Sequence, residues 1–202
     1  MTLQYTNRVG KTYYLSGGKT KSGKPQYYFS LKPKDNAVDT VPEGYEIYEH
    51  PENAQVFMRK IRPRLISEVE EQFVKNQVKA LQRTRRYRVD CKDKYITIYE
   101  SNMEPENLNN ILGNLLGMMP TREGVDTKGA MDFLMSATDQ DYTAMLRFFL
   151  EDKEKRIFSV ERFCFRGRTN KWIHLAQSED FKALVSQYVN RLGTDEFFES
   201  PY

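Results

Sequence analysis

An α+β fold built on antiparallel sheets is what this sequence predicts, and three observations carry the prediction. Short aromatic and β-branched runs recur around turn-forming residues, as hairpins require. Other stretches place apolar residues three and four apart, the signature of helices with one buried face. The two kinds of element follow one another without the regular strand–helix alternation of a parallel α/β protein. The expected arrangement is antiparallel β-hairpins with about three main helices. A small N-terminal β unit, residues 1–62, packs on a larger α+β part, residues 63–202. The boundary falls at 60–64, where hairpins give way to a helix without linker-like composition.

The elements follow in order. Tyr13-Tyr14-Leu15 and Tyr27-Tyr28-Phe29 flank a polar, Gly-rich loop from Gly17 to Pro25, the sequence form of a β-hairpin. After a loop from Lys32 to Pro42, Tyr45–Glu49 and Gln55–Arg59 form a second hairpin, completing a four-stranded unit. Its turn is His50-Pro51-Glu52-Asn53-Ala54, where proline fixes φ and asparagine tolerates the left-handed region. Pro63 opens a helix to about Gln82, with Leu65, Ile66, Val69, Phe73, Val74, Val78 and Leu81 on one face.

Arg86–Cys91 and Tyr95–Tyr99 form the next strand pair, turning at Lys92-Asp93-Lys94. Pro105 starts a helix that Gly117 stops. Pro120, Gly124 and Gly129 break the following stretch, with a short helix around Ala130–Ala137. Strands resume at Ala144–Leu150, Ile157–Phe165 and Trp172–Ala176. The last helix is capped by Ser178, buries Phe181, Leu184, Val185, Tyr188, Val189 and Leu192, and ends at Gly193. The aromatic tail Glu196–Tyr202 folds back on the core or docks on another chain.

Composition sets the class. At 202 residues and 39% hydrophobic, the chain has the means for a real core, which excludes disorder as the default. Cys91 and Cys164 are the only two cysteines, each isolated, so free thiols in a reducing compartment are expected. No apolar run is long enough to span a bilayer, and the start lacks the pattern of a secretory segment. A soluble, cytoplasmic or otherwise intracellular protein is the expectation, with no membrane contact. Residues 1–94 hold 19 Lys and Arg against 11 Asp and Glu, whereas residues 95–202 hold 12 against 17. A basic half of this kind suits a polyanion.

Three basic clusters lie among aromatic residues. In the first hairpin, Lys19, Lys21 and Lys24 sit where they can reach phosphates, and Tyr13 and Tyr27 are the rings expected to stack on unpaired bases. Only one ring of each adjacent tyrosine pair can face outward. In the second cluster, Arg83, Arg85, Arg86 and Arg88 follow a helix C-terminus and lead into a strand. Part of that charge answers the helix dipole, and the guanidinium fork suits phosphate. Arg162, Arg166, Arg168 and Lys171 form the third, with Phe163, Phe165 and Trp172 interleaved, the tryptophan being read as a core residue.

Gly18, Gly23 and Lys24 approach the phosphate-binding P-loop pattern, but Pro25 stands where a magnesium-binding hydroxyl belongs, and a strand rather than a helix follows. No catalytic relay accompanies His50 or His174, and neither cysteine has metal-ligand spacing. Glu151/Asp152 and Asp139/Asp141 are read as solvated turns. No cofactor and no metal are expected. The chain reads as a non-enzymatic nucleic-acid-binding accessory protein using basic and aromatic hairpin surfaces, for DNA or RNA. The alternative is a protein–protein adaptor or regulatory subunit of a larger complex, meeting an acidic partner protein.

Overall fold

A computed structural model describes residues 2–81, 87–102, 141–166 and 169–199, without side chains at 165, 166 and 169. It is a mixed α+β structure with mostly antiparallel sheets. The chain divides into two compact units, Met1–Ile61 with Ser101–Tyr142, and Arg62–Glu100 with Thr143–Tyr202.

In the first unit, β1 (Gln4–Thr6), β2 (Thr12–Lys19) and β3 (Pro25–Ser30) form a three-stranded antiparallel sheet in that order. A separate antiparallel pair joins β4 (Tyr45–Glu49) to β5 (Val56–Lys60). The expected four strands are therefore five, in two sheets, because Gln4–Thr6 was too short and polar to register as a strand. Period-2 alternation puts Tyr5, Tyr13, Leu15, Tyr27 and Phe29 on one face of the larger sheet. That face packs on β4, where the Tyr5 hydroxyl donates to Glu49 Oε2 at 3.2 Å; Leu15 on it and Ser16 on the opposite face are both fully buried.

Arg8 ties the β1–β2 loop to the β4–β5 turn. Its Nη1 donates to Glu49 Oε1 at 2.7 Å and to the His50 carbonyl at 2.9 Å. Buried Asn7 adds a bond from Nδ2 to the Ala54 carbonyl at 2.7 Å. The left-handed residue of that turn is Ala54, at φ 57°, rather than the expected Asn53. Asn53 instead accepts from the Gln55 N–H through its side chain at 3.0 Å.

The second unit holds a five-stranded sheet ordered β10-β9-β8-β7-β6. Its strands are β6 (Tyr87–Lys92), β7 (Tyr95–Ser101), β8 (Tyr142–Asp152), β9 (Ile157–Arg166) and β10 (Thr169–Ser178). Two helices, α1 (Glu68–Ala80) and α2 (Phe181–Val189), cover one face. The core lies there: Ile96, Ile98, Leu146, Phe148, Phe158 and Val160 pack with Val74, Val78, Leu184 and Val185. Two helices stand among the described residues where about three were expected; those expected from Pro105 and around Ala130–Ala137 lie outside them.

Helix α1 begins five residues beyond Pro63, because Ser67 supplies a stronger start. The Ser67 hydroxyl accepts from the Glu70 N–H at 3.3 Å, and the Glu70 carboxylate accepts from the Ser67 N–H at 2.8 Å. Val69 is thereby left 72% exposed, off the buried stripe it was expected to join. Helix α2 is capped by Asp180, whose carboxylate accepts from the Ala183 N–H at 3.0 Å; Ser178, the expected cap, accepts instead from Asp180. The helix ends at Val189 with Asn190 as C-cap, so Gly193 closes the turns beyond it at φ 78°. A Cβ at Gly193 would also stand 2.8 Å from Tyr87 Oη. The chain then folds back: Phe197 is buried, and buried Arg162 donates through Nη1 to the Phe197 carbonyl and, at 3.2 Å, to that of Glu199.

Candidate functional site

The first hairpin is a rigid platform for its lysines. Pairing of β2 with β3 runs to Lys19 opposite Pro25. The loop beyond is closed by the Thr20 N–H on the Lys24 carbonyl at 2.8 Å and the Gly23 N–H on the Thr20 carbonyl at 2.9 Å. Thr20 Oγ1 accepts from the Lys24 N–H at 3.1 Å, and Gly23 sits at φ 79°, a conformation open to glycine without strain. These bonds use the loop's own N–H groups, which a phosphate cradle of the P-loop kind needs free.

Lys19, Lys21 and Lys24 are exposed, as are Lys32 and Lys34 after β3. None of the five is in an ion pair among the described residues, whereas Arg8 is held by Glu49 and Arg59 by Glu46, both at 2.7 Å. Arg8 and Arg59 thus spend their charge internally, and the hairpin lysines direct theirs outward.

Strand register decides which tyrosines accompany them. Tyr13 and Tyr27 share the face against β4 with Leu15 and Phe29. The Tyr27 ring meets Tyr45 edge-on at 5.0 Å and covers Gly17, where an added Cβ would lie 3.5 Å from it and 2.9 Å from Val38 Cγ2. Gly17 is thus required for close approach. Tyr14 and Tyr28 take the outer face, with Gly18 and Gln26. The Tyr28 hydroxyl accepts from Asn36 Nδ2 at 3.1 Å, and the Lys34 ammonium lies 4.7 Å from the ring centroid. Nothing stands within 4 Å of where a Gly18 Cβ would be, whereas Ser16, directly opposite Tyr28 on the same face, is fully buried, so this face is open at Gly18 and covered at Ser16. The rings chosen from sequence as stacking partners share the Leu15 face, and all four tyrosines are half-buried. Alternation was legible from sequence, but which member of each pair faces β4 was not.

The other clusters are less complete. Arg83, Arg85, Arg86 and Arg168 lie outside the described residues, as does the Arg166 side chain. Arg88 is half-buried on β6 opposite Tyr99, and Lys171 is exposed on β10 opposite Cys164.

Sequence reading missed a second group of rings in the second unit, on the sheet face away from the helices. Arg147, opposite Glu161 in the register, has Cζ 4.8 Å from the Tyr95 centroid and 4.1 Å from that of Trp172. Tyr95 stacks on Phe149 at 5.0 Å, and Trp172 meets Phe163 edge-on at 5.1 Å. Trp172 is half-buried there rather than part of the helix-covered core. The available signal was alternation in Met145–Glu151, where Arg147 and Phe149 fall on the opposite face from Leu146, Phe148 and Leu150. Arg147 is ion-paired with Glu161, so this cluster has its charge answered internally.

Reactive groups are few. Both cysteines are free and half-buried. Burial, with the Glu71 carboxylate adding to it, pushes the Cys91 thiol up to about 11, against the weaker pull of Arg64. Such a thiol is a poor nucleophile. Among the described residues, no three His, Cys, Asp or Glu side chains converge to hold a metal ion. A shallow groove of about 620 Å³ runs along α1, lined by Val69, Phe73, Arg64, Lys75 and Lys182 among others. Among the described residues no helix is long and apolar enough to cross a membrane.

No protein-family model matches this chain, and neither a curated protein nor a solved structure matches it.

Proposed function

We propose that this protein is a non-enzymatic nucleic-acid-binding accessory protein whose contact surface is the first hairpin. The observation that carries the reading is the set of five exposed lysines, Lys19, Lys21, Lys24, Lys32 and Lys34, without an ion pair among the described residues. Ammonium groups held on a closed β-hairpin attract a phosphate backbone through charge and released counterions, independent of base sequence. Tyrosines on the outer face of the same two strands add ring surface beside that charge. Arg88 and Lys171 extend the proposal to the second unit as further phosphate contacts.

Fluorescence anisotropy with labelled DNA and RNA oligonucleotides, across a salt series, tests it. The wild-type chain binds saturably, and affinity falls as salt rises. A variant carrying Lys19→Glu, Lys21→Glu and Lys24→Glu binds more weakly, with the log–log salt slope reduced by about 2. Absence of binding to any oligonucleotide at about 0.15 M salt removes the reading. The basic hairpin is then a surface for an acidic protein partner, the adaptor alternative.

A further inference from the structure

The outer face of the first hairpin carries more information than its charge. Tyr14 lies opposite Ser30, and Tyr28 lies opposite Ser16. The two rings are thus diagonal neighbours on one face, about 7–8 Å apart at their backbones. Aromatic rings presented on a sheet face are the platform on which unpaired bases stack in sheet-based single-strand binders. Gly18 and the exposed Gln26 continue the same face toward the lysine loop, with nothing within 4 Å of the Gly18 Cβ position. Lys34 covers the Tyr28 ring at 4.7 Å, with no ion pair among the described residues. An arriving base can take its place on the ring, and the displaced ammonium is left beside the strand's phosphate.

We infer that this face takes unpaired nucleic acid, with Tyr14 and Tyr28 stacking on adjacent bases and Lys34 moving from ring to phosphate. The inference rests on the hairpin's reading as a nucleic-acid surface. Single strands are singled out because the bases of a duplex keep their π-faces inside the stack, where a ring fixed on a flat sheet does not reach them. A duplex offers the lysines only its backbone.

The test compares a labelled oligo(dT) or oligo(U) strand with a duplex of equal nucleotide count. The full chain and the variants Tyr14→Leu, Tyr28→Leu and Tyr28→Phe are measured in parallel. The wild-type chain is expected to prefer the single strand at least tenfold. Each leucine variant loses roughly 5- to 150-fold on the single strand, the range for one lost base stack, with an unchanged salt slope and unchanged duplex binding. Tyr28→Phe keeps the ring and restores most of the affinity, so a misfolded leucine variant is recognised by contrast with it. Equal affinity for strand and duplex, or leucine variants that bind like wild type, overturns this inference while the hairpin's reading as a polyanion surface stands. Loss of all oligonucleotide binding by the wild-type chain overturns both.

Discussion

Replacing Glu70 by Ala is expected to destabilise the second unit by about 1–2.5 kcal/mol at neutral pH. One carboxylate serves two structures. Toward its own helix it accepts from the Ser67 N–H at 2.8 Å and from the Ser67 hydroxyl at 2.7 Å, closing the capping box. Toward the β8–β9 turn it accepts from Arg156, with Nε at 3.1 Å and Nη2 bonding both oxygens. Loss of the reciprocal cap costs about 0.5–1.5 kcal/mol, while Ser67 Oγ still serves the residue-70 N–H. The ion pair is discounted to about 0.5–1 kcal/mol because the Arg156 side chain is 36% exposed.

The pH dependence has a definite sign. Burial raises the Glu70 pKa, but hydrogen bonds from Arg156 and Ser67 outweigh it and hold the carboxyl below its ordinary value. A carboxyl depressed in the folded state contributes stability above its unfolded pKa, and that contribution is lost as pH falls through the folded value. Urea unfolding followed by circular dichroism at pH 7 and at about pH 3 reads both effects. The gap between wild type and Glu70→Ala should be full at pH 7 and shrink in acid. A gap under about 0.5 kcal/mol at pH 7, or one independent of pH, refutes the assignment of Glu70 as the shared carboxylate.

Three further outcomes are expected. Gly193→Ala lowers stability by more than about 1 kcal/mol, from a left-handed φ of 78° and a Cβ driven to 2.8 Å from Tyr87 Oη; an unchanged midpoint in the same urea titration refutes it. Arg156→Gly is less destabilising than Arg156→Ala by about 1 kcal/mol, because position 156 sits at φ 54° where only glycine is unstrained; equal melting temperatures refute it. Native-state labelling at pH 8 with a thiol reagent leaves Cys91 largely unmodified until urea unfolds the chain, as expected for a thiol pushed up to about 11, and fast native labelling at Cys91 overturns that account.

The α+β class was legible because local chemistry and tertiary packing agreed over most strands. Tyr95, Tyr142–Asp152 and Ile157–Arg166 lie where alternating apolar runs meet turn residues, and the strand positions differ from expectation mainly at their ends. Helix starts were less legible. Proline and serine both signal an N-terminus, and the reciprocal Ser67–Glu70 pair outweighed Pro63 by satisfying two N–H groups that proline leaves unpaired. Asp180 displaced Ser178 as a cap for a similar reason, one carboxylate placed three residues from the N–H it accepts. The short strand Gln4–Thr6 was invisible because three residues with a single apolar ring, Tyr5, make no alternating pattern.

By itself the sequence determined where the hairpin lies, that its loop is basic and glycine-rich, and that adjacent tyrosines must point to opposite faces, since strand side chains alternate with a period of two. Only the tertiary structure decided that Tyr13 and Tyr27 lie with Leu15 on the face against β4 while Tyr14 and Tyr28 lie with Ser16 on the other, all four rings half-buried. The deciding contacts come from residues distant in the chain, Tyr45 and Glu49 on β4 and Val38 against Gly17, and no local pattern encodes them. The lysines' freedom has the same origin. Glu46 and Glu49 lie where folding brings them to Arg59 and Arg8, which leaves the loop's charge unanswered.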